Sequence, residues 1–191
     1  VLGEVSSPTI RDLVESTLRI SDNVLAESLA RQVALARGET PSFAGAGRAV
    51  RDALREAGFD ITGARIIDGS GLSPNNKIPA RLLGEIVSVA SGPGHDPRSA
   101  KLRPLLTGLP VAGGDGTLDD RFAIGEESAP GRGFVRAKTG TLTGVSSLAG
   151  LVTDADGRLL VFALMSTGTS PAESRPRLEA IAAALRAGVG R

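Results

Sequence analysis

The chain of 191 residues has no cysteine, no tryptophan and no tyrosine, and its only histidine is His95. Without thiols there is no disulfide, no cysteine nucleophile and no thiolate metal site, while the redox compartment stays open. A zinc site normally needs several imidazoles, and a Ser-His-Asp triad would have to use this one. His95 lies in Gly92-Pro93-Gly94-His95-Asp96-Pro97, a run of turn formers, and reads as a solvated loop residue. An enzyme built from this chain is therefore expected to work without metal or cofactor, through lysine, serine, asparagine and backbone amides. Five phenylalanines as the only aromatic side chains offer no platform for stacking bases or sugar rings. Acids and bases are interspersed at a net charge of +1, so no basic stripe exists for a polyanion and no nucleic-acid partner is expected. No apolar run approaches the length of a membrane span.

What remains is an ordinary globular composition, 41% hydrophobic and 23% charged, in a length that suits one domain or a large part of a bigger one. Ser7-Pro8 signals a helix start, followed by Ile10, Leu13, Val14 and Leu18 at helical spacing. The pattern breaks at Ser21-Asp22-Asn23 and resumes with Leu25, Leu29, Val33 and Ala36 up to Gly38. A third helix spans about 42–58, with Val50, Leu54 and Ala57 inward; its Gly45-x-Gly47 follows no strand and is set aside as a nucleotide fingerprint. Residues 64–67 suggest a short strand leading into the turn-rich 68–76, then helices over 79–89 and 98–106. A glycine-rich stretch, 109–118, and a polar one reaching Arg132 form a loop long enough to suggest function. From Phe134 the period changes to that of strands, over 134–140, 147–153 and 158–166, the last two joined by an Asp154-Ala155-Asp156-Gly157 turn. Leu159 to Met165 is almost continuously apolar, which predicts a strand buried on both faces. A last helix opens at Ser170-Pro171-Ala172-Glu173, a capping-box pattern, with Leu178, Ile181 and Leu185 on one face. The expected fold is α+β: a helical cluster (about 1–110) packed on an antiparallel sheet with a C-terminal helix behind it (about 111–191).

Within Phe134-Val135-Arg136-Ala137-Lys138-Thr139-Gly140-Thr141-Leu142, strand alternation puts Lys138 and Gly140 on one face and Ala137 and Thr139 on the other. A phosphate-binding loop is excluded, since Ala137 stands where that pattern needs glycine. If the strand is a sheet edge lining a cleft, an extended peptide can pair with it. Lys138 then attracts a carboxylate, the threonine hydroxyls bind it, and Gly140 leaves room for the incoming backbone. Lys-Thr-Gly occurs by chance in about one chain in a few tens; preceded by Ser-Asp-Asn in these settings, the pair arises in roughly one chain in a thousand.

Ser21-Asp22-Asn23 and Lys138-Thr139-Gly140 resemble the second and third signatures of the penicillin-recognising serine enzymes, whose first is Ser-x-x-Lys. Further blocks extend the likeness from about Thr17 to Thr167: Ile20 to Glu27, Asp68-Gly69-Ser70-Gly71-Leu72-Ser73, Leu109 to Leu118, and Ala137 to Leu142. Together they resemble the D-alanyl-D-alanine carboxypeptidase/endopeptidases called class C low-molecular-mass penicillin-binding proteins. One departure is Ile78, where a capping Ser or Thr is expected before Pro79. Another is that no Ser-x-x-Lys occurs: Ser28 is followed three residues on by Arg31, and Ser73 reaches Lys77 one position late. Since the chain also opens at Val1 without a leader, it is expected to be the C-terminal half of such an enzyme, a β-lactamase/transpeptidase-like domain entered partway.

The resemblance implies an acyl-serine mechanism in which an upstream segment of the same polypeptide supplies the nucleophile and its lysine. It implies that Ser21 relays a proton to the leaving amine, Asn23 donates to the substrate carbonyl, and Lys138 receives the C-terminal carboxylate. Thr139, Gly140 and Thr141 then bind substrate, with the Thr141 N–H as half of an oxyanion hole. Asp22 is assigned to capping, and Glu27, Asp68 and Asp115 to holding the fold. Implied partners are a peptidoglycan stem peptide ending in D-Ala-D-Ala and, through the full-length enzyme, β-lactams, at an extracytoplasmic location. A non-catalytic wall-peptide-binding or scaffold fragment is the alternative from another class, and a β-lactamase a third.

Overall fold

The computed structural model describes residues 2–188. Six helices precede the sheet: α1 (Ile10–Ile20), α2 (Asn23–Ala36), α3 (Phe43–Glu56), α4 (Ala80–Ser91), α5 (Pro97–Leu102) and α6 (Pro104–Gly108). Three strands follow, β1 (Val135–Leu142), β2 (Val145–Thr153) and β3 (Leu159–Thr167), then α7 (Pro171–Ala184). The sheet is antiparallel in the order β1-β2-β3. Its register sets Lys138 opposite Ala149, and Ala149 opposite Ala163. The expected α+β arrangement is thus present, with α4 against one face and α7 against the other.

Local chemistry accounts for the element ends. Thr9, not Ser7, caps α1, in a reciprocal box with Asp12. Pro104 has no N–H to continue a helix, so the single helix expected over 98–106 is two short ones. α4 starts at Ala80, one residue later than expected, with Pro79 at its cap position and therefore no side-chain cap hydrogen bond. The capping box expected at Ser170 is not formed, because its side chain makes no cap hydrogen bond. Residues 64–67 contribute one isolated bridge, Arg65 to Lys77, in place of a strand. His95 is exposed in its turn.

Two expectations about burial are corrected. β3 is not buried on both faces: it is an edge strand, with Leu159 47% and Met165 40% exposed and only Phe162 fully covered. On α7, Leu178, Ala182 and Ala183 face the core while Ile181 is 49% exposed. The core lies between β1–β3 and α7, where Phe122, Leu118, Leu148, Val135, Ala137, Val152 and Phe162 close around those three residues. By contrast α1 has no buried residue, and Val50 and Leu54 of α3 are only half-buried; Ala57 is exposed.

Candidate active site

Ser21 is the left-handed residue (φ 59°) that ends α1, its N–H bonded to the Thr17 carbonyl. Asp22 caps α2 as expected, its Oδ1 accepting from Val24 and Leu25 N–H at 2.9 Å each. A two-residue link between helices therefore holds the Ser21 hydroxyl in a fixed direction and puts Asn23 on the first turn of α2. From the far side of the cleft the Lys138 ammonium donates to Ser21 Oγ at 2.7 Å and to the Thr139 carbonyl at 2.9 Å. Burial pushes the Lys138 ammonium down to about 8, because its charge is poorly solvated there.

β1 alternates as its sequence predicts. Lys138 and Gly140 share the face of Ala149 and Ser147, while Ala137, Thr139 and Thr141 share the face of Leu148 and Ser146. Its outer edge is closed for half its length. The Ala112 N–H donates to the Val135 carbonyl and the Ala137 N–H to the Pro110 carbonyl. By the two-residue period the N–H groups of Thr139 and Thr141 point outward too, along the half that loop 110–112 leaves uncovered. The Thr139 hydroxyl donates to Thr117 Oγ1 at 3.0 Å. Thr117 gets there because Gly116, at φ +56°, tucks under the end of α1, where a Cβ would lie 2.3 Å from the Arg19 carbonyl oxygen. Asp115 anchors the same loop, accepting from the Val111 N–H at 2.7 Å.

Gly140 has a different neighbour from the one expected: a Cβ there would lie 2.3 Å from Ser147 Oγ, so its bareness accommodates a hydroxyl on β2. The turn-rich segment 68–76 forms another wall. Asp68 accepts from the N–H groups of Gly71 and Ser73 and from Asn76, and Glu27 on α2 accepts from the Gly69 N–H at 2.7 Å. Both carboxylates hold backbone, as their fold-keeping assignment requires.

Ser21, Asn23, Lys138, Thr139, Gly140 and Thr141 all line one cavity of about 1580 Å3 between the helical cluster and the sheet. Its other half is apolar, formed by Leu29, Val33, Val50, Leu54, Leu83 and Ile86. Two residues of this rim were missed in the sequence. Thr117 lies in a block that resembled the family but had no role, and Arg175 on α7, which donates to Thr141 Oγ1 at 3.0 Å, carried no signal. Among the described residues no group of three His, Cys, Asp or Glu side chains is arranged to hold a metal ion.

A serine, an amide and a lysine facing one cleft between helices and an antiparallel sheet belong to the β-lactamase/transpeptidase class of fold, and comparisons bear this out. The crystal structure of penicillin binding protein 4 (dacB) from Haemophilus influenzae, complexed with a β-lactam, superposes with a TM-score of 0.75 at 32% identity, over 89% of this chain and 40% of that one. A β-lactamase from Sphaerobacter thermophilus, 23% identical, shares the fold at a TM-score of 0.56 over 94% of this chain and 63% of its own. Carboxypeptidase DacB of Mycolicibacterium smegmatis is 45% identical over 185 residues, 97% of this chain and 39% of that protein. The model of the D-Ala-D-Ala carboxypeptidase 3 (S13) family matches residues 1–187, and the chain belongs to that family. It spans well under half of the curated relatives it matches, 39% of the Mycolicibacterium protein and 34% of the Haemophilus influenzae carboxypeptidase.

Proposed function

We propose that this chain is the C-terminal part of a single transpeptidase-like domain, forming two walls of the active site of a serine D-alanyl-D-alanine carboxypeptidase/endopeptidase. An upstream segment of the same polypeptide, carrying Ser-x-x-Lys, supplies the nucleophile. The observation that carries this reading is the 2.7 Å hydrogen bond from Lys138 to Ser21, which joins the two motifs across the cleft.

The chemistry runs from these groups. A stem peptide ending in D-Ala-D-Ala pairs with the uncovered half of β1, its scissile carbonyl oxygen at the Thr141 N–H and its neighbouring amide at Asn23. The upstream serine oxygen attacks that carbonyl, and the upstream lysine takes its proton. As the C–N bond breaks, the Ser21 hydroxyl gives its proton to the departing amine and is resupplied by Lys138. A lysine with a pKa of about 8 exchanges that proton at neutral pH far more readily than one at its ordinary 10.5. Water then hydrolyses the acyl-serine. Thr139, fixed by Thr117, and Thr141 bind the peptide's terminal carboxylate.

The cavity supports a second element within it. Ligand pockets commonly occupy about 300–1,000 Å3, and this one, at about 1580 Å3, has an apolar half that suits no short peptide of alanines. An α-helix fills roughly 120 Å3 per residue of its length, so an upstream helix can lie on Leu29, Val33, Val50 and Leu54 and present its serine to Lys138. β-Lactams are ligands of the whole enzyme on this reading, and peptidoglycan as substrate implies an extracytoplasmic location. Among the described residues no helix is long and apolar enough to cross a membrane.

The test is acylation by a fluorescent penicillin. The full-length polypeptide is expected to become labelled on the serine of its Ser-x-x-Lys, and the 191-residue chain to remain unlabelled. Labelling of the isolated chain at any serine overturns the division of roles, and an unlabelled full-length protein favours a scaffold.

A further inference from the structure

Lys138 is committed to Ser21 and to the Thr139 carbonyl, on the face of the sheet opposite to the Thr139 and Thr141 side chains. A second cation, Arg175, stands at the threonine face; Arg121, which also lines the cavity, is paired with Glu179. Its Nη2 donates to Thr141 Oγ1 at 3.0 Å, it lines the same cavity, and no carboxylate among the described residues pairs with it. Its place is built, not incidental. The preceding residue, Ser174, is 4% exposed, and its hydroxyl donates to Ser146 Oγ at 2.8 Å and lies 2.9 Å from the Ser170 carbonyl. Ser146 is 1% exposed and stands directly opposite Thr141 in the β1–β2 register. A buried hydroxyl pair thus bolts the first turn of α7 to the strand position next to Thr141 and hangs a guanidinium over that residue's hydroxyl.

We propose that Arg175 is a specificity-determining residue that, with Thr141, grips the free carboxylate of the residue that leaves at the scissile bond. This rests on the function proposed above and names which end of the substrate the site reads. A guanidinium is always charged and offers parallel donors that match a carboxylate, whereas an ammonium already engaged by a hydroxyl and a carbonyl is a poor primary clamp. A leaving residue whose carboxyl is a carboxamide brings no charge to Arg175, which is exposed on α7, and gains no charge-assisted pair with it.

The experiment uses the full-length polypeptide and a tripeptide ending in D-Ala-D-Ala, as free acid and as C-terminal amide, with KM and kcat measured separately. The unsubstituted enzyme is expected to prefer the acid. Arg175→Gln is expected to cut the acid-to-amide ratio of kcat/KM by about 10- to 100-fold, chiefly through KM for the acid, with partial recovery in Arg175→Lys. An unchanged ratio overturns the inference, as does an equal loss on both substrates, which a merely structural arginine would produce. In either case cleavage by the unsubstituted enzyme leaves the peptidase reading standing. No cleavage of either peptide by the unsubstituted enzyme removes both.

Discussion

The two faces of the sheet are finished to different degrees. Against α7 the chain closes its own core: Phe122, Leu118, Leu148, Val135 and Val152 are each at most 1% exposed, and Glu179 of α7 pairs with Arg121 beneath them. Against α2, α3 and α4 it leaves Leu29, Val33, Val50, Leu54, Leu83 and Ile86 half-buried around an open cavity. Both sides use similar residue types, so composition does not separate them. On the function proposed above, the difference is what each face receives: one accepts a helix already in this chain, the other the proposed upstream element. Ser21, Lys138 and Thr141 sit on the seam between them, where a rigid wall can meet an incoming group.

If that division holds, truncation on the closed side has the largest effect. Phe122 is fully buried and held at φ 58° among Leu118, Val135 and α7. Phe122→Ala is expected to destabilise the 191-residue chain by about 3–5 kcal/mol, from lost burial and the cavity left behind. Urea unfolding followed by circular dichroism measures it. A loss below about 1 kcal/mol would mean that this side too is loosely packed.

The same division explains what was legible in the sequence. Ser21 and Lys138 were readable as partners because their chemistry demands fixed neighbours and so leaves tripeptides. Asp22, Glu27 and Asp68 were readable as cap and loop carboxylates because turn chemistry is local. Thr117 was half visible, marked by the glycine beside it but with no hint of its partner 22 positions away. Arg175 was invisible, since an exposed arginine just past the first turn of a helix looks like any other surface charge until Ser174 and Ser146 fix where that turn lands. β3 misled for an instructive reason. An apolar run reports which neighbours a strand tolerates, not which ones the chain contains, and here the outer edge and part of one face have no cover among the described residues.

Lys138 offers the next test, at the seam itself. Burial lowers its pKa from 10.5 to about 8, so below pH 8 the folded chain carries a poorly solvated charge that the unfolded chain carries freely. Between about pH 8 and 10.5 the unfolded state binds more protons than the folded one, and stability attributable to this group therefore rises with pH across that window. The gain is expected to reach at most about 3 kcal/mol. Lys138→Met is expected to lose this contribution. Denaturant midpoints at pH 7.5 and 10 in the two proteins give the difference directly, and parallel pH profiles would mean that Lys138 is well solvated and the seam as open as the cavity.

The smallest expected effect is on the open side, and its smallness carries the comparison. Leu54 on α3 lines the cavity with its side chain only half removed from water, so Leu54→Ala leaves little new void and gives up little burial. In the 191-residue chain the cost is expected to stay below about 1 kcal/mol, reduced a little by the slightly better helix propensity of alanine. In the full-length polypeptide, where an upstream helix is proposed to cover the same position, the identical substitution creates a cavity and is expected to cost about 2–5 kcal/mol. Unfolding both proteins with and without the substitution measures the contrast. An equal small cost in both would leave the apolar half of the cavity without a covering element, and the seam would have to obtain its serine by another route.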